Sequence, residues 1–365
     1  MNHTLYIAAG TYTEDLSVSG SITLIGCGAV TVKNATARRR VMELPTQKPG
    51  TREDYPTVEL RNIVVTTDTV APNLGGGIGG TIDNTGEDGG GFGHLILSGT
   101  TKVVNGRGGR KGGCVSLDSY SSLLMQDDAE ISNCLADTYG GGGAYLNYSN
   151  LTMTGRSAVR DNVSNRDGGG LYIYYGVIEM SGSATIAGNS SAEEGGGLML
   201  YSDSYDIPAD YANGKPIFAM KDQSTITGNA SYTGTGGNTG VNYGGGGVSI
   251  SGACEDGTAP FTGQKCLTAY LSGSSSITGN ATGVGSTSAY GGGMNLDDVD
   301  LVISDSASIT GNTATGSGGV TGSQVMLAYS PFGSRALTVT KTGSATIAEQ
   351  CKIGKTDDDS AVNCF

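Results

Sequence analysis

The chain has 365 residues, of which 63 are Gly, 34 are Asp or Glu and none is Trp, and its formal net charge is −13. With 37% hydrophobic residues it is too apolar for a disordered acidic polymer, and it lacks the basic stripe that neutralises nucleic-acid phosphates. No stretch reaches the ~20 apolar residues of a membrane-spanning helix, so we expect neither a nucleic-acid partner nor a membrane-spanning segment.

The first part of the chain predicts paired strands and then an irregular segment. Apolar residues alternate as they do in strands, and Ile22, Leu24 and Val30 are separated by two and then six positions. Residues 33–60 lose this alternation. We therefore interpret them as a lateral excursion from a regular body.

From residue 95 onward one frame recurs: an apolar residue, a second two positions later and a third six positions after that. Its seven copies are Leu95/Leu97/Val103, Leu123/Met125/Ile131, Leu151/Met153/Val159, Ile178/Met180/Ile186, Phe218/Met220/Ile226, Ala269/Leu271/Ile277 and Leu301/Ile303/Ile309. Three residues beyond the last five copies stand Asn162, Asn189, Asn229, Asn280 and Asn312. A spacing of two is a strand period, and Asn at one corner of stacked coils can form a hydrogen-bonded ladder.

A cluster of glycines precedes the strand that leads into most copies of the frame, as at 140–143, 168–170 and 195–197. The repeat is about 27 residues long, and such a unit buries its apolar side only when successive units stack. The sequence therefore predicts an all-β fold, one right-handed parallel β-helix of roughly ten coils that spans residues 1–365.

Departures from the period predict loops on the surface of this solenoid. Insertions fall near 203–215, 231–243 and 254–266, and residues 351–365 form a C-terminal tail. Insertions on a solenoid usually lie on one side, which is often the binding side.

The seven cysteines indicate loop disulfides more than a metal site, because CxxC spacing is absent. Candidate pairs are Cys254 with Cys266, Cys351 with Cys364 and Cys114 with Cys134, which leaves Cys27 over. These pairs favour an extracellular or cell-surface location. Met1 is followed by polar residues and not by a secretory signal, so we expect a chain that begins inside a longer precursor.

The alternation of glycine clusters with Ile-x-Gly-Asn, as in Ile226-Thr227-Gly228-Asn229, resembles the GGA(I/L/V) and FxxN repeats of chlamydial polymorphic outer-membrane proteins and of adhesin-type proteins. The opening, from Leu5-Tyr6-Ile7 through Gly10-Thr11-Tyr12 to Leu24-Ile25-Gly26, is similar to the first coil of pectin-lyase-like β-helices. The resemblance implies a β-helical surface protein, although that fold also hosts lyases, hydrolases and tailspikes.

An enzymatic alternative depends on acidic residues. Gln126-Asp127-Asp128 resembles a polygalacturonase motif, but the His-Gly and Arg-x-Lys signatures of that family are absent. Neither His3 nor His94 has neighbouring residues in a pattern typical of a catalytic site. The frame places Asp127 on a turn, where Asp is common. We therefore name no catalytic residue.

Other acids precede the glycine corners or cluster near residue 300: Asp88, Asp167, Glu193, Glu194, Asp297, Asp298 and Asp300. Stacked coils could bring such acids together around Ca²⁺. A charged edge that discourages aggregation is the favoured interpretation, so no cofactor or metal site is assigned and Ca²⁺ stays open.

Two further sequence patterns bear on function: pairs of Thr and Ser residues, and Asn-x-Ser/Thr sequons. Thr225/Thr227, Ser276/Thr278 and Ser308/Thr310 flank the inward Ile of three coils and are similar to ice-binding solenoid faces, but β-propensity explains them as well. Among the Asn-x-Ser/Thr sequons, Asn147 and Asn150 are the glycosylation candidates because they lie between strands.

The sequence thus predicts a non-catalytic extracellular adhesin or filament-building module, whose partner is a carbohydrate, a protein surface or another copy of itself. The alternative is a polysaccharide lyase or glycoside hydrolase of pectin-lyase-like fold, and the third hypothesis is ice binding.

Overall fold

A computed structural model describes most of the chain. The described residues are 3–35, 40–45, 55–67, 80–84, 93–202, 215–232, 243–252, 266–286, 289–316, 320–329, 337–348, 351–355 and 362–364. These residues form strands, bends and turns, and they include no helix long and apolar enough to cross a bilayer.

The strands form sheets that run the length of the solenoid. Sheet A contains His3–Thr13, Ile22–Lys33, Thr57–Thr66, His94–Ser98, Lys102–Val104, Ser122–Met125, Glu130–Ser132, Asn150–Met153, Ala158–Arg160, Ile178–Met180, Thr185–Ala187, Phe218–Met220, Thr225–Thr227, Leu267–Leu271, Ser276–Thr278, Val299–Ile303, Ser308–Thr310, Val339–Lys341 and Thr346–Ile347. Sheet B contains Leu16–Ser17, Met42–Glu43, Ile82–Asp83, Val115–Leu117, Ala144–Asn147, Leu171–Tyr174, Leu198–Tyr201, Val248–Ser251, Met294–Asp297, Val325–Tyr329, Cys351–Lys355 and Val362–Asn363. Sheet C contains Arg107–Gly108, Leu135–Ala136, Val163–Ser164, Ser190–Ser191, Ala230–Tyr232, Ala281–Ser286 and Thr313–Gly316, and the small sheet D contains Tyr243–Gly244, Ala289–Tyr290 and Val320–Thr321.

Each strand pairs in parallel with its equivalent one coil away. In sheet B, Ala144 lies beside Leu171 and Leu171 beside Leu198, which is one repeat of 27 residues each time. The described pairings are parallel, except that Val362–Asn363 returns antiparallel to Cys351–Lys355. The predicted all-β parallel β-helix is confirmed; its right-handed sense stays the expectation for parallel crossovers.

The apolar frame forms the core of the solenoid. Its residues lie in the two arms of sheet A that each coil contributes, and Leu97, Ile131, Met180 and Phe218, for example, are fully buried. Alternate residues of sheet B complete the core from the other side. Because side chains alternate across a strand, the neighbours of these core residues in sheet B form an outer face.

The predicted asparagine ladder runs along the corner between sheets A and C and is confirmed. Asn162, Asn189, Asn229, Asn280 and Asn312 are buried. The Oδ1 of Asn229 accepts the backbone N–H of Asn189 at 3.0 Å and its side-chain amide at 2.9 Å, while the Nδ2 of Asn229 donates to the carbonyl of Ile186 at 3.0 Å. The same pattern repeats along the ladder. Polar groups that burial would leave unpaired are thus hydrogen-bonded.

Glycine faces each ladder residue from the neighbouring corner. A Cβ at Gly170 would lie 2.9 Å from the Cγ of Asn189 and 2.6 Å from the carbonyl oxygen of Gly197. The glycine at the start of this cluster, Gly168, has a φ of +60°, a conformation that glycine adopts without a steric penalty. The glycine cluster therefore permits both the turn and the close approach of the ladder.

Both ends of the ladder replace this Gly–Asn pair with other residues. Register places Cys114 in the glycine column and Cys134 in the asparagine column, and the two form a disulfide with a Cα–Cα distance of 5.6 Å. At the other end Gln324 occupies the glycine column, and its Oε1 accepts the backbone N–H of Asn312 at 3.1 Å and its side-chain amide at 2.9 Å. Neither replacement was foreseen as a ladder end from the sequence.

The remaining cysteines agree with the predicted pairs where the structure describes them. Cys351 and Cys364 are bonded to each other, and Cys27 is free and exposed. Cys266 is in a disulfide, whereas Cys254 lies outside the described residues.

Two predicted irregular segments belong partly to the solenoid. Within 33–60, Met42 is fully buried and pairs with Leu16 and Ile82 in sheet B, and the strand Thr57–Thr66 belongs to sheet A. Within the predicted tail, Cys351–Lys355 forms a full strand of sheet B. Most of the insertions near 203–215, 231–243 and 254–266 lies outside the described residues.

Candidate functional site

The outer face of sheet B carries a patch of tyrosines that stack from coil to coil. Tyr145 lies in register with Tyr172, and Tyr174 with Tyr201. The ring centroids of Tyr145 and Tyr172 are 5.3 Å apart. Those of Tyr174 and Tyr201 are 5.2 Å apart with an interplanar angle of 12°, an offset-stacking distance that is favourable for aromatic pairs.

Three more tyrosines extend the patch at the corner between sheets B and A. Tyr120, Tyr148 and Tyr175 have φ values of +60°, +48° and +54°, a left-handed conformation that is unusual for a bulky side chain. Their rings are in contact, with centroids 5.7 Å apart for Tyr120–Tyr148 and 4.9 Å apart for Tyr148–Tyr175. Gly, Asn or Asp would fit this backbone with less strain. The corner thus keeps an aromatic ring where conformation alone favours a smaller residue.

We call these seven residues, Tyr120, Tyr145, Tyr148, Tyr172, Tyr174, Tyr175 and Tyr201, the tyrosine face. Most of them are half-buried, Tyr145 is 5% exposed and Tyr120 is 50% exposed. Burial raises the pKa of both the Tyr145 and Tyr172 hydroxyls above the ordinary value for tyrosine. The tyrosine face presents aromatic surface together with hydroxyl groups.

Charged side chains bound the tyrosine face at its N-terminal end. The Nζ of Lys111 lies 4.9 Å from the centroid of the Tyr145 ring and 3.4 Å from a carboxylate oxygen of Asp118. The amide of Asn147 donates to the same carboxylate group. This polar cluster covers Tyr145, which accounts for its low exposure.

At its other end the tyrosine face opens into a cavity of about 260 Å³. Tyr201 lines the cavity together with Glu194, Ser249, Tyr290, Asn295 and Asp297. Met199 and Met326 add apolar surface. Because Tyr201 belongs to both features, the face and the cavity form one continuous surface along sheet B.

The cavity has an acidic lining. The Ser249 hydroxyl donates to Glu194 Oε2 at 2.7 Å, and the Asp167 Oδ1 of the preceding coil accepts the backbone N–H of Glu194 at 3.1 Å. Burial, and secondarily repulsion from Asp167, Asp297 and Glu193, raises the pKa of Glu194 to about 7. Burial also raises the pKa of Asp167 to about 6 and that of Asp297 to about 6.

Asp297 carries the least satisfied carboxylate of this lining. Its Oδ1 is buried and has no hydrogen-bond partner. Neither Glu194 nor Asp297 forms an ion pair within the described part of the chain, whereas Arg166 approaches Asp167 at 3.8 Å and Glu193 at 3.4 Å. Within the described residues, no cation pairs with the two acids of the cavity.

The polygalacturonase-like acids lie elsewhere, on a turn of sheet A. Asp127 has a φ of +59° and its Oδ2 accepts the N–H of Gly99 in the preceding coil at 2.9 Å. In later coils, Asp222 Oδ2 accepts the N–H of Gly182 at 2.9 Å and Asp305 Oδ2 accepts the N–H of Gly273 at 3.0 Å. Asp128 pairs with Arg156 at 2.6 Å. These acids hold turns together, as the turn interpretation predicts.

The other predicted acids are dispersed. Asp298 occupies the left-handed corner position, with a φ of +52°, and Asp300 Oδ1 accepts the N–H of Thr338 at 2.7 Å. Asp88 lies outside the described residues. The described residues contain no group of three or more His, Cys, Asp or Glu side chains placed to hold a metal ion.

His94 contacts the Ser122 hydroxyl at 2.6 Å, and His3 lies on the first strand of sheet A. Of the glycosylation candidates, Asn147 donates to Asp118 and Asn150 Oδ1 accepts the N–H of Val177 at 3.3 Å. Both are half-buried, and their glycosylation stays a prediction.

The threonine and serine columns on sheet A are in register, with Thr227 beside Thr278 and Thr278 beside Thr310. The same columns continue into charged coils, where Arg160 pairs with Glu130 at 2.8 Å. A charge-free threonine plane is therefore limited to a few coils.

The tyrosine face was missed by sequence reasoning, although a signal was present. Tyr145 and Tyr172, Tyr148 and Tyr175, and Tyr174 and Tyr201 are each 27 residues apart, which is the length of one repeat.

Comparison of the chain with known protein families, with curated proteins and with solved structures finds no match in any of the three.

Proposed function

We propose that this protein is a non-catalytic, extracellular β-helix that binds carbohydrate along the tyrosine face. The observation that carries the proposal is the continuous run of tyrosines over consecutive coils, three of them held in a strained backbone conformation. Strain of this kind concentrates at functional sites, because a residue without a role there would be replaced by one that fits.

Tyrosine suits a carbohydrate partner for two physical reasons. Its ring is apolar and rigid, so it can cover the C–H face of a sugar with little loss of conformational entropy, and its hydroxyl can hydrogen-bond to the sugar's own hydroxyls. Coils stack about 4.8 Å apart, so the rings form a periodic track suited to a polymer. Rigid solenoids commonly present such extended binding surfaces.

Charge narrows the choice of carbohydrate. The protein carries a formal net charge of −13, and the acids Glu194 and Asp297 line the cavity that continues the face. A polyuronide would be repelled along this path. This disfavours the pectin-degrading alternative and favours a neutral or cationic glycan. The disulfides Cys114–Cys134 and Cys351–Cys364 support an oxidising, extracellular setting.

Because the chain has no Trp, its emission comes from 18 tyrosines, seven of which form the tyrosine face. We expect neutral hexasaccharides such as cellohexaose, xylohexaose or mannohexaose to change the tyrosine emission on titration, and hexagalacturonate to bind more weakly. Replacement of Tyr174 or Tyr201 by Ala should weaken binding about three- to tenfold, the contribution expected for one aromatic contact.

Two controls separate binding from stability. Tyr174→Phe keeps the ring and its stacking on Tyr201, so it should retain most of the affinity. Tyr6 is 68% exposed on the first strand of sheet A, and Tyr6→Ala should leave binding unchanged. If neither a neutral nor a cationic hexasaccharide binds the wild-type protein, the proposed function is wrong.

A further inference from the structure

The cavity at the end of the tyrosine face contains two carboxyl groups that form no ion pair within the described part of the chain. Glu194 has one hydrogen bond from Ser249, and Asp297 Oδ1 is buried without any partner. Buried carboxylates in proteins are normally paired with a cation or fully hydrogen-bonded, because removing them from water is costly. A bound molecule that brings a donor to Asp297 Oδ1 would complete the hydrogen bonding of this carboxyl group.

The shape and lining of the cavity limit that molecule. The volume of about 260 Å³ admits a group of the size of one sugar ring, and Tyr201 connects the cavity directly to the tyrosine face. Two carboxylates and the Asn295 side chain offer acceptors in place of cationic donors. A primary ammonium group has three donors and a positive charge, which match this lining.

We propose that this cavity binds the ammonium group of an amino sugar, so that the glycan recognised by the protein is a polymer of N-deacetylated hexosamine. This inference rests on the proposed function, since it assumes that the tyrosine face binds the same chain. The ammonium lies between Glu194 and Asp297 and donates to the unpartnered Asp297 Oδ1.

Other ligands fit the cavity less well. A uronic acid or a sulfated sugar would place an anion beside two carboxylates. A neutral hexose would leave the cavity without a countercharge. A metal ion is disfavoured because the described residues contain no group of three or more His, Cys, Asp or Glu side chains placed to hold one.

The test compares two hexamers that differ only in the acetyl group: a β-linked glucosamine hexamer and the corresponding N-acetylglucosamine hexamer. Binding is measured through tyrosine fluorescence and calorimetry at pH 6.5 and low salt. We expect the amine-bearing hexamer to bind about tenfold more tightly or better, the size expected for hydrogen bonds to a charged group. Added salt should reduce this preference because it screens the ion pair.

Variants then assign the preference to the cavity. Asp297→Asn and Glu194→Gln keep the shape of the side chains and should each bring the two affinities close together. Glu179→Gln is the matched control, because Glu179 is a half-exposed acid on sheet A that pairs with Lys221. This control should retain the full preference for the amine.

The outcomes distinguish this inference from the proposed function. Equal affinity of the wild-type protein for the two hexamers overturns the amino-sugar assignment and leaves the proposed function standing, and that comparison depends on no variant. If neither hexamer nor any neutral hexasaccharide binds, the proposed function fails as well. Release of new reducing ends from either hexamer would instead show hydrolysis and overturn the proposed non-catalytic role.

Discussion

Each asparagine of the ladder satisfies hydrogen bonds in two neighbouring coils at once. Asn229 accepts from the backbone and side chain of Asn189, and it donates to the carbonyl of Ile186 and to Asn280. A short polar side chain fixes the corner because glycine in the facing column leaves room for its amide. Loss of one such residue affects three coils.

We therefore expect Asn229→Ala to lower the free energy of unfolding by roughly 2–4 kcal/mol, since it leaves buried groups of Asn189 and Ile186 without partners. Chemical denaturation followed by far-UV circular dichroism measures the change. Asn165 is exposed three residues after the ladder residue Asn162, and Asn165→Ala should stay within about 0.5 kcal/mol of wild type. A similar loss for both variants would show that the ladder contributes little.

At this scale the sequence predicts the ladder residues but not the residue that ends the ladder. Asn at a fixed distance from an inward apolar residue is visible as a repeated pattern. Gln324 stands in the glycine column and not in the asparagine column, and it reaches Asn312 only because its side chain is long enough to cross the corner. Such a cross-column contact requires the register of the coils.

At the level of the strands and turns, the corner of a coil is closed in two different ways, by a Gly–Asn pair or by a disulfide. Where later coils use a Gly–Asn pair, Cys114 and Cys134 form a disulfide in the same two columns. The N–H of Gly106 meets the sulfur of Cys114 at 3.3 Å, and the N–H of Cys134 already donates to Asn162 at 3.0 Å. The disulfide thus terminates the ladder.

We predict that the double variant Cys114→Gly/Cys134→Asn extends the ladder by one coil. It should unfold at a higher denaturant concentration than Cys114→Ala/Cys134→Ala, because the new amide can bond Gly106 and Asn162. Both should be less stable than the oxidised wild type by up to about 3 kcal/mol, the contribution expected for a disulfide closing a short loop. Equal stability of the two double variants would contradict the equivalence of the pairs.

The sequence predicts long repeats better than short strands. The frame of two and six positions identifies the arms of sheet A in seven coils. Met42–Glu43 is a two-residue strand between segments outside the described residues, and it offers no frame to recognise. Cys351–Lys355 was interpreted as tail because it follows the last copy of the frame, yet its pairing with Val325–Tyr329 makes it part of sheet B.

For the whole molecule, the acids with raised pKa values couple stability to pH. Burial raises the pKa of Glu194 to about 7 and of Asp167 and Asp297 to about 6 in the folded protein, whereas an unfolded chain has ordinary values near 4. The folded state therefore binds more protons between these values. Their contribution to stability is complete below about pH 4 and is lost as the pH rises through about 6 to 7.

We expect the free energy of unfolding of the wild-type protein to fall between pH 5 and pH 8. In Glu194→Gln this fall should be smaller by about 1–3 kcal/mol. Denaturant titrations at several pH values measure it for both proteins. Glu179→Gln serves as control and should keep the wild-type slope. A wild-type protein that becomes more stable over this range would contradict the assignment.

The tyrosine face was not predicted from the sequence, although the 27-residue spacing of its members is visible there. Each coil contributes only one to three tyrosines, and as a linear sequence they resemble ordinary outward strand residues. They become a surface only when the coils are placed in register, with Tyr145 beside Tyr172 and Tyr174 beside Tyr201. The cavity arises in the same way, since Glu194 and Asp297 are more than 100 positions apart.

In-register stacking also has a genetic consequence. Residues 171–197 constitute one complete coil, since Leu171 and Leu198 occupy equivalent places in neighbouring strands. Recombination between the similar DNA segments that encode such units could delete or duplicate a coil and still leave every remaining strand with a partner of the right register. Such an event in the coil 171–197 would shorten or lengthen the run of aromatic rings by one step, so the length of the tyrosine face can change with the number of coils.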